Sequence, residues 1–181
     1  GGREIDAELR ARGGMPRRVN GIRVTDAAAL DAAVRVLAGA VNTRLVAAAV
    51  ARGVPAVGLT GLADGSLRAR RAAPIRPVSG EPVDPGLVGE PIAGAPPRLL
   101  RDLLRGGYVP IVASLGLGPE GEILNVNADL AAAHLAAVLA ADRLWIAGAT
   151  DGVLDAEGRT IATLGAGGAA ALVASGGARD G

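Results

Sequence analysis

Residues 96–114 read "PPRLLRDLLRGGYVPIVAS". A proline at the first turn suits a helix start, the leucines and charges that follow are amphipathic, and Gly-Gly ends the run. "YVPIVAS" (108–114) is then almost wholly apolar, the pattern of a strand buried on both faces. A helix that runs straight into a buried strand is the repeating unit of a parallel sheet with helices on its faces.

The same unit recurs on both sides. Upstream, Leu30, Val34, Leu37, Val41 and Leu45 recur at spacings of four and three, which predicts an apolar stripe on a helix over 26–51. That helix is roughly 39 Å long at about 1.5 Å per residue. It leads into "VPAVGLT" (54–60), a second buried strand. Downstream, "ADLAAAHLAAVLAAD" (128–142) predicts a helix and "RLWIAG" (143–148) a strand. Residues 3–12 predict a short helix closed by Arg12-Gly13-Gly14. Residues 19–26 read as a loop whose Thr25 or Asp26 caps the long helix. Residues 66–92, with five prolines, read as irregular surface hairpins. "GPEGE" turns a hairpin, "GVLDAEGRTIATL" (152–164) turns another at Glu157-Gly158, and 166–175 is a last helix. The fold class is α/β, a three-layer α/β/α sandwich around a mostly parallel sheet, in one domain over 1–181. In such sheets ligands sit in the loops beyond the carboxyl ends of strands; here these are "TGLADG", "NVNAD" and "GATDGVL".

Composition excludes several functions. The chain has 181 residues, half of them hydrophobic, and a formal net charge of +1. It holds no cysteine and one histidine, which leaves no disulfide, no thiolate site and no zinc site; no metal ligand is assigned. The cluster Arg68, Arg70, Arg71 and Arg76 lacks aromatic stacking partners and reads as a solvated hairpin, so no nucleic acid is expected. No secretory signal or membrane-spanning helix is visible, and the longest uncharged run, 160–178, is broken by glycines. No membrane association is expected.

The chain holds no lysine and no glutamine, and only four asparagines. Two of these stand in "LNVNAD" (124–129). Either Asn-x-Asn is a turn former, or a chemical need has kept two amides there. Asp129 opens a helix and is either its cap or a group that orients a cation. His134 shares a helix face with Leu130 and Val138 and reads as structural. Ser114 has no histidine or acid near it in sequence, so no hydrolytic triad is supported. Gly1 and Gly2 either form a plain turn or let the N–H groups of a helix start approach an anion, and Arg23 is either a solvated loop residue or a planar fork for a carboxylate.

The chain resembles the amino acid kinase family, on the branch that phosphorylates N-acetylglutamate. The resemblance is carried by "GGREID" (1–6), "NGIRVTD" (20–26), "AVGLTG" (56–61), "GLVGE" (86–90), "GGYVPIVASLG" (106–116), "NVNAD" (125–129) and "DGVLDAEGRTIATL" (151–164), in family order. It implies transfer of the γ-phosphoryl of ATP, with Mg2+, to the side-chain carboxylate of N-acetyl-L-glutamate in arginine biosynthesis, by a cytoplasmic enzyme that pairs through the helix 26–51. It implies that Gly1 and Gly2 hold the substrate carboxylate and the transferred phosphoryl. Arg23 would pair with the α-carboxylate, Asn125 would donate to the bound amino acid with Asn127 close by, and Asp129 would organise two catalytic lysines. Ala149, Thr150, Asp151, Gly152, Val153 and Leu154 would form part of the nucleotide site. Two departures stand out. Neither family lysine is in this chain, so 1–181 reads as an interior segment, inactive alone, without the N-terminal strand and the C-terminal nucleotide portion. Gly148-Ala149-Thr150 also replaces the Thr/Ser-Asp-Val of the nucleotide loop. Alternatives are a kinase for a carrier-protein-linked aminoadipate or glutamate, and a non-catalytic regulatory homologue that binds the amino acid.

Overall fold

The computed structural model describes residues 2–77, 80–94, 97–148, 152–155 and 157–175. The chain divides into two compact units, Gly1–Leu144 and Trp145–Gly181.

The first unit begins with helix α1 (Gly2–Ala11). Gly13, at φ +80°, ends it, and the Gly14 N–H closes back on the Leu9 carbonyl at 3.0 Å. Strands β1 (Arg17–Val19) and β2 (Ile22–Val24) follow as an antiparallel hairpin. This corrects the reading of 19–26 as a loop. Asn20 (φ 48°) and Gly21 (φ 76°) both adopt left-handed backbone, the two-residue turn whose twist matches paired strands. Asp26 caps the long helix, its carboxylate accepting from the Ala29 N–H at 2.8 Å, so of the two capping candidates Asp26 takes the role.

That helix is continuous over Ala27–Val50. It comprises α2 (Ala27–Val34), a π-helical segment (Arg35–Val41) and α3 (Asn42–Val50). Its most buried face is not the leucine–valine stripe. Ala29, Ala32, Ala33 and Val36 pack against Ile5 and Leu9 of α1, with Leu37 and Val41 only partly covered at the edge. Small side chains let the two helices approach closely, which the larger stripe would prevent. By length and composition this helix could cross a membrane. In this fold it covers a sheet, and the buried Asn42 amide donates to the carbonyls of Leu59 (3.2 Å) and Ile111 (2.7 Å). Gly58 makes the approach possible, because a Cβ there would collide with the Asn42 side chain.

Strand β3 (Ala56–Thr60) pairs in parallel with β6 (Val109–Ala113), Gly58 opposite Ile111. Between them lie β4 (Ala69–Arg71), β5 (Val88–Pro91) and helix α4 (Arg98–Arg105). Strands β7 (Leu115–Leu117) and β8 (Ile123–Val126) follow and lead into α5 (Ala128–Leu139). A four-stranded sheet in the order β4-β5-β8-β7 results, parallel only between β5 and β8. The α/β class with parallel pairings is as the alternation of helices and apolar strands implies.

Residues 66–92 are not confined to the surface. Ser66, Leu67 and Ala69 are buried, and with Leu124, Val126 and Ala131 of α5 the latter two form the second core. Full burial of Leu67 and Leu124 contributes about 2 kcal/mol each. The prolines lie outside the paired interior: Pro74, Pro77, Pro82 and Pro85 fall in the connection and Pro91 ends β5. The hairpin itself is present: β4 and β5 pair antiparallel, Ala69 opposite Pro91 and Arg71 opposite Gly89, and Ile75 bridges Val83 within their connection.

The chain differs from expectation around Leu144, where the two units divide. Residues 143–148 are no strand; no described strand pairs with them, and Trp145 is 83% exposed. A strand exists only where a neighbour takes its backbone bonds, and an apolar run alone does not supply one. The hairpin turn is present: Leu154 bridges Thr160, and the Asp155 carboxylate accepts from the N–H groups of Glu157 (3.0 Å) and Arg159 (2.8 Å). Helix α6 (Ala166–Ala174) follows.

Candidate functional site

Thr25, immediately after β2, is the point where the motifs cross. Its N–H donates to the Pro85 carbonyl at 2.9 Å and its carbonyl accepts from the Leu87 N–H at 2.7 Å. Gly86 lies against it at φ +73°, and a Cβ at that position would sit 2.5 Å from the Thr25 carbonyl oxygen, so only glycine suits this crossing. The Asn125 N–H in turn donates to the Leu87 carbonyl at 2.9 Å. The Asn125 side chain donates from Nδ2 to Thr25 Oγ1 at 3.3 Å. Stretches 20–26, 86–90 and 125–129 thus meet at one place.

Arg23 joins this place to the start of α1. Its Nη1 donates to the Asp6 carboxylate and its Nη2 to the Gly2 carbonyl at 2.9 Å. Arg18 donates to the other Asp6 oxygen at 2.9 Å. The side chains of Arg23 and Asp6 are only 9% and 10% exposed. Burial by itself raises the Asp6 carboxyl and is the largest single influence, but the bonds from Arg23 and then Arg18 outweigh it, so its pKa lies below the ordinary value of 3.8. Sequence reading did not single out Asp6, which stands within "GGREID" on a short helix. The signal that reveals it is the Asn20-Gly21 turn, which folds Arg18 and Arg23 back across α1. Of the five N–H groups of Arg23, the described bonds use two, and Asp6 and Gly2 orient the fork.

The two asparagines part company. Asn125 lies on β8, half-buried, and points to Thr25. Asn127 is the cap of α5: its Oδ1 accepts from the N–H groups of Asp129 (2.9 Å) and Leu130 (3.1 Å). Its oxygen serves the helix, which leaves only its amide nitrogen to meet a substrate. Asp129 is therefore not the cap. It stands exposed in the first turn, where the helix dipole favours a negative charge, and no described residue pairs with it. His134 is half-buried, as its face suggests.

Gly1, Ala149, Thr150 and Asp151 lie outside the described residues. Gly152 adopts φ +139°, a conformation side chains rarely allow, and Val153 and Leu154 are exposed in the second unit. A cavity of about 250 Å³ in the first unit lies elsewhere, among Leu37, Val41, Leu45, Ile111, Ala131 and Leu135. Asn42 and Ser114 are its polar lining residues and it has no charged one, so it does not suit an anionic substrate. Among the described residues no group of three carboxylates or histidines gathers for a metal ion.

Comparison with known proteins agrees with this arrangement. The model of the amino acid kinase family matches residues 1–177. The chain is 44% identical over 155 residues to the acetylglutamate kinase of Methanopyrus kandleri, covering 86% of this chain and 62% of that protein. It is 40% identical over 153 residues to the acetylglutamate kinase of Symbiobacterium thermophilum, covering 84% and 52%. The chain thus spans about half the length of the curated relatives it matches. Among solved structures, smu.665 from Streptococcus mutans shares the fold at a TM-score of 0.82 and 24% identity, over 100% of this chain and 70% of that one. N-acetylglutamate synthase from Neisseria gonorrhoeae, crystallised with coenzyme A and N-acetyl-glutamate, matches at a TM-score of 0.66 and 30% identity, over 87% and 34%. With its motifs gathered around Thr25 and its length matched almost throughout, the chain belongs to the amino acid kinase family.

Proposed function

We propose that this chain is the amino-acid-binding part of an N-acetylglutamate kinase, which transfers the γ-phosphoryl of Mg-ATP to the side-chain carboxylate of N-acetyl-L-glutamate. The observation that carries the reading is the convergence of "GGREID", "NGIRVTD", "GLVGE" and "NVNAD" through Thr25 and Arg23. It joins a guanidinium, a helix N-terminus and a neutral amide, the groups a dicarboxylate with an amide requires. Relatives named acetylglutamate kinase support the same substrate.

Phosphoryl transfer needs positioning and charge stabilisation more than covalent chemistry. In this reading Arg23, steadied by Asp6, takes the α-carboxylate. Asn125 orients the acetamido end without adding negative charge. Asp129, unpaired among the described residues, aligns cationic side chains that this lysine-free chain does not contain. Bound Mg-ATP supplies the phosphoryl group. The described residues assemble no shell for its metal and include only Gly152, Val153 and Leu154 of the expected nucleotide loop, so no step is assigned to them through it. Pairing of two copies through the helix 26–51 belongs to the same proposal, supported by the exposure of Leu45 and Val50 on that helix.

A second reading, a non-catalytic domain that binds the amino acid, is favoured by the absence of lysine and the match to N-acetylglutamate synthase. Trapping acyl phosphate as a hydroxamate, with full-length protein, ATP and N-acetylglutamate, separates the two. Binding of the amino acid without hydroxamate would select the second. Hydroxamate from a carrier-protein-linked substrate alone would replace N-acetylglutamate.

Arg23→Lys in the full-length protein is expected to raise the KM for N-acetylglutamate roughly fivefold, about 1 kcal/mol for one lost charge-assisted bond. The KM for ATP should change little. Steady-state kinetics with each substrate varied in turn checks this; an unchanged amino-acid KM removes Arg23 from the site.

A further inference from the structure

Thr25 is fully buried and all its polar atoms are engaged. Its backbone bonds to Pro85 and Leu87 fix the position of its Cβ. Its hydroxyl donates to the Arg23 carbonyl and accepts from Asn125 Nδ2, each at 3.3 Å. A hydroxyl has one proton. With that proton committed to Arg23, only lone pairs face Asn125, and only the NH2 end of the Asn125 amide can meet them. Asn125 Oδ1 is therefore turned to the opposite side. No described residue donates to this oxygen. Among the described residues no side-chain polar atom is buried without a partner, so Oδ1 opens to solvent.

The geometry points to Thr25 as a positioning residue: it sets the Asn125 amide so that its carbonyl oxygen faces the bound amino acid. Asn125 then accepts a hydrogen bond, where the sequence suggests that it donates one. Such a site favours a ligand that presents an N–H beside its carboxylate, as an acylated α-amine does. This inference rests on the proposed reading of Asn125 as substrate-facing, and it adds the direction of the bond and the residue that fixes it.

The test uses full-length protein with Thr25→Val, which keeps the shape and removes the hydroxyl, and Thr25→Ser, which keeps the hydroxyl. Thr25→Ala, also without hydroxyl, takes the same measurements should the valine variant not fold. The side-chain amide signals of Asn125 are observed by NMR, identified by their loss in Asn125→Asp. They should shift in Thr25→Val and stay near their wild-type position in Thr25→Ser. The KM for N-acetylglutamate should rise about fivefold in Thr25→Val, with kcat and the KM for ATP near wild type, and Thr25→Ser should restore it. Unmoved amide signals in Thr25→Val overturn the positioning role whatever the kinetics. Moved signals with an unchanged amino-acid KM confine Thr25 to a structural role and overturn the inference equally. A wild-type protein that does not turn over N-acetylglutamate counts against the proposed function instead, and the amide signals still decide the orientation.

Discussion

Asp6→Asn is expected to lower the stability of the protein by about 3 kcal/mol, and its melting temperature by roughly 6–12 °C. The substitution keeps the shape of the side chain and removes its charge. Arg23, 9% exposed, would then keep a cation away from water with only an amide oxygen and the Gly2 carbonyl beside it. The cost lies at the low end for a broken buried pair because Arg18 is 43% exposed and can turn to solvent. Arg18→Ala, on the same carboxylate, should for that reason cost under about 1 kcal/mol. Acidity provides an independent check. The Asp6 carboxyl is depressed in the folded state, so its contribution is complete above the unfolded pKa near 4 and fades as pH falls through the lower folded value. The gap between wild type and Asp6→Asn, measured by denaturant unfolding, should be full at pH 7 and narrow below about pH 4. Equal stability at pH 7 would mean that water, not Asp6, balances the two arginines.

Asn125→Asp in the full-length enzyme is expected to cut kcat/KM by at least roughly tenfold, about 1.4 kcal/mol, with little change in melting temperature. A ligand with two carboxylates facing a triphosphate makes a site dense in negative charge, and a new carboxylate adds repulsion where the amide was neutral. The fold should tolerate the change, since the new side chain keeps nearly the same shape at a half-buried position that water can reach. The alternative role, a turn former, forecasts the reverse: normal kinetics and a lowered melting point. Asn127 serves as the internal control. Its oxygen caps α5, so Asn127→Ala should act mainly on stability, by about 1 kcal/mol.

What sequence reveals here depends on how local each signal is. Helices over 2–11, 27–50, 98–105 and 128–139 are legible because periodicity, proline starts and glycine stops all lie within the element. Strands β3 and β6 are legible as apolar runs between such helices. Strands β4 and β5 are not, because "ARR" and "VGEP" carry no alternation and owe their state to neighbours distant in sequence. "RLWIAG" errs the other way: its composition suits a strand, but no described neighbour takes its backbone bonds. The site divides similarly. Arg23 and Asn125 are candidates through motif resemblance, and the capping role of Asn127 shows in its turn chemistry. Asp6 escapes notice, and Thr25 stands out only as a capping candidate, because their importance lies in partners 12 to 100 residues away. The Asn20-Gly21 turn is the one local clue to the hairpin that brings Arg18 and Arg23 to Asp6.

The bond between Asn125 and Thr25 joins residues 100 positions apart, and this has a consequence for the order of folding. Closing a flexible loop of that length costs about 4 kcal/mol of chain entropy beyond a constant, and no single side-chain bond offsets it. The helices form from neighbours in sequence and need no such closure. Secondary structure should therefore appear in refolding before any capacity to bind the amino acid. Stopped-flow circular dichroism run beside ligand-induced fluorescence would show a lag between the two signals. A site that matures last also reports on the unit that carries it, because a molecule able to bind its ligand has already closed this loop.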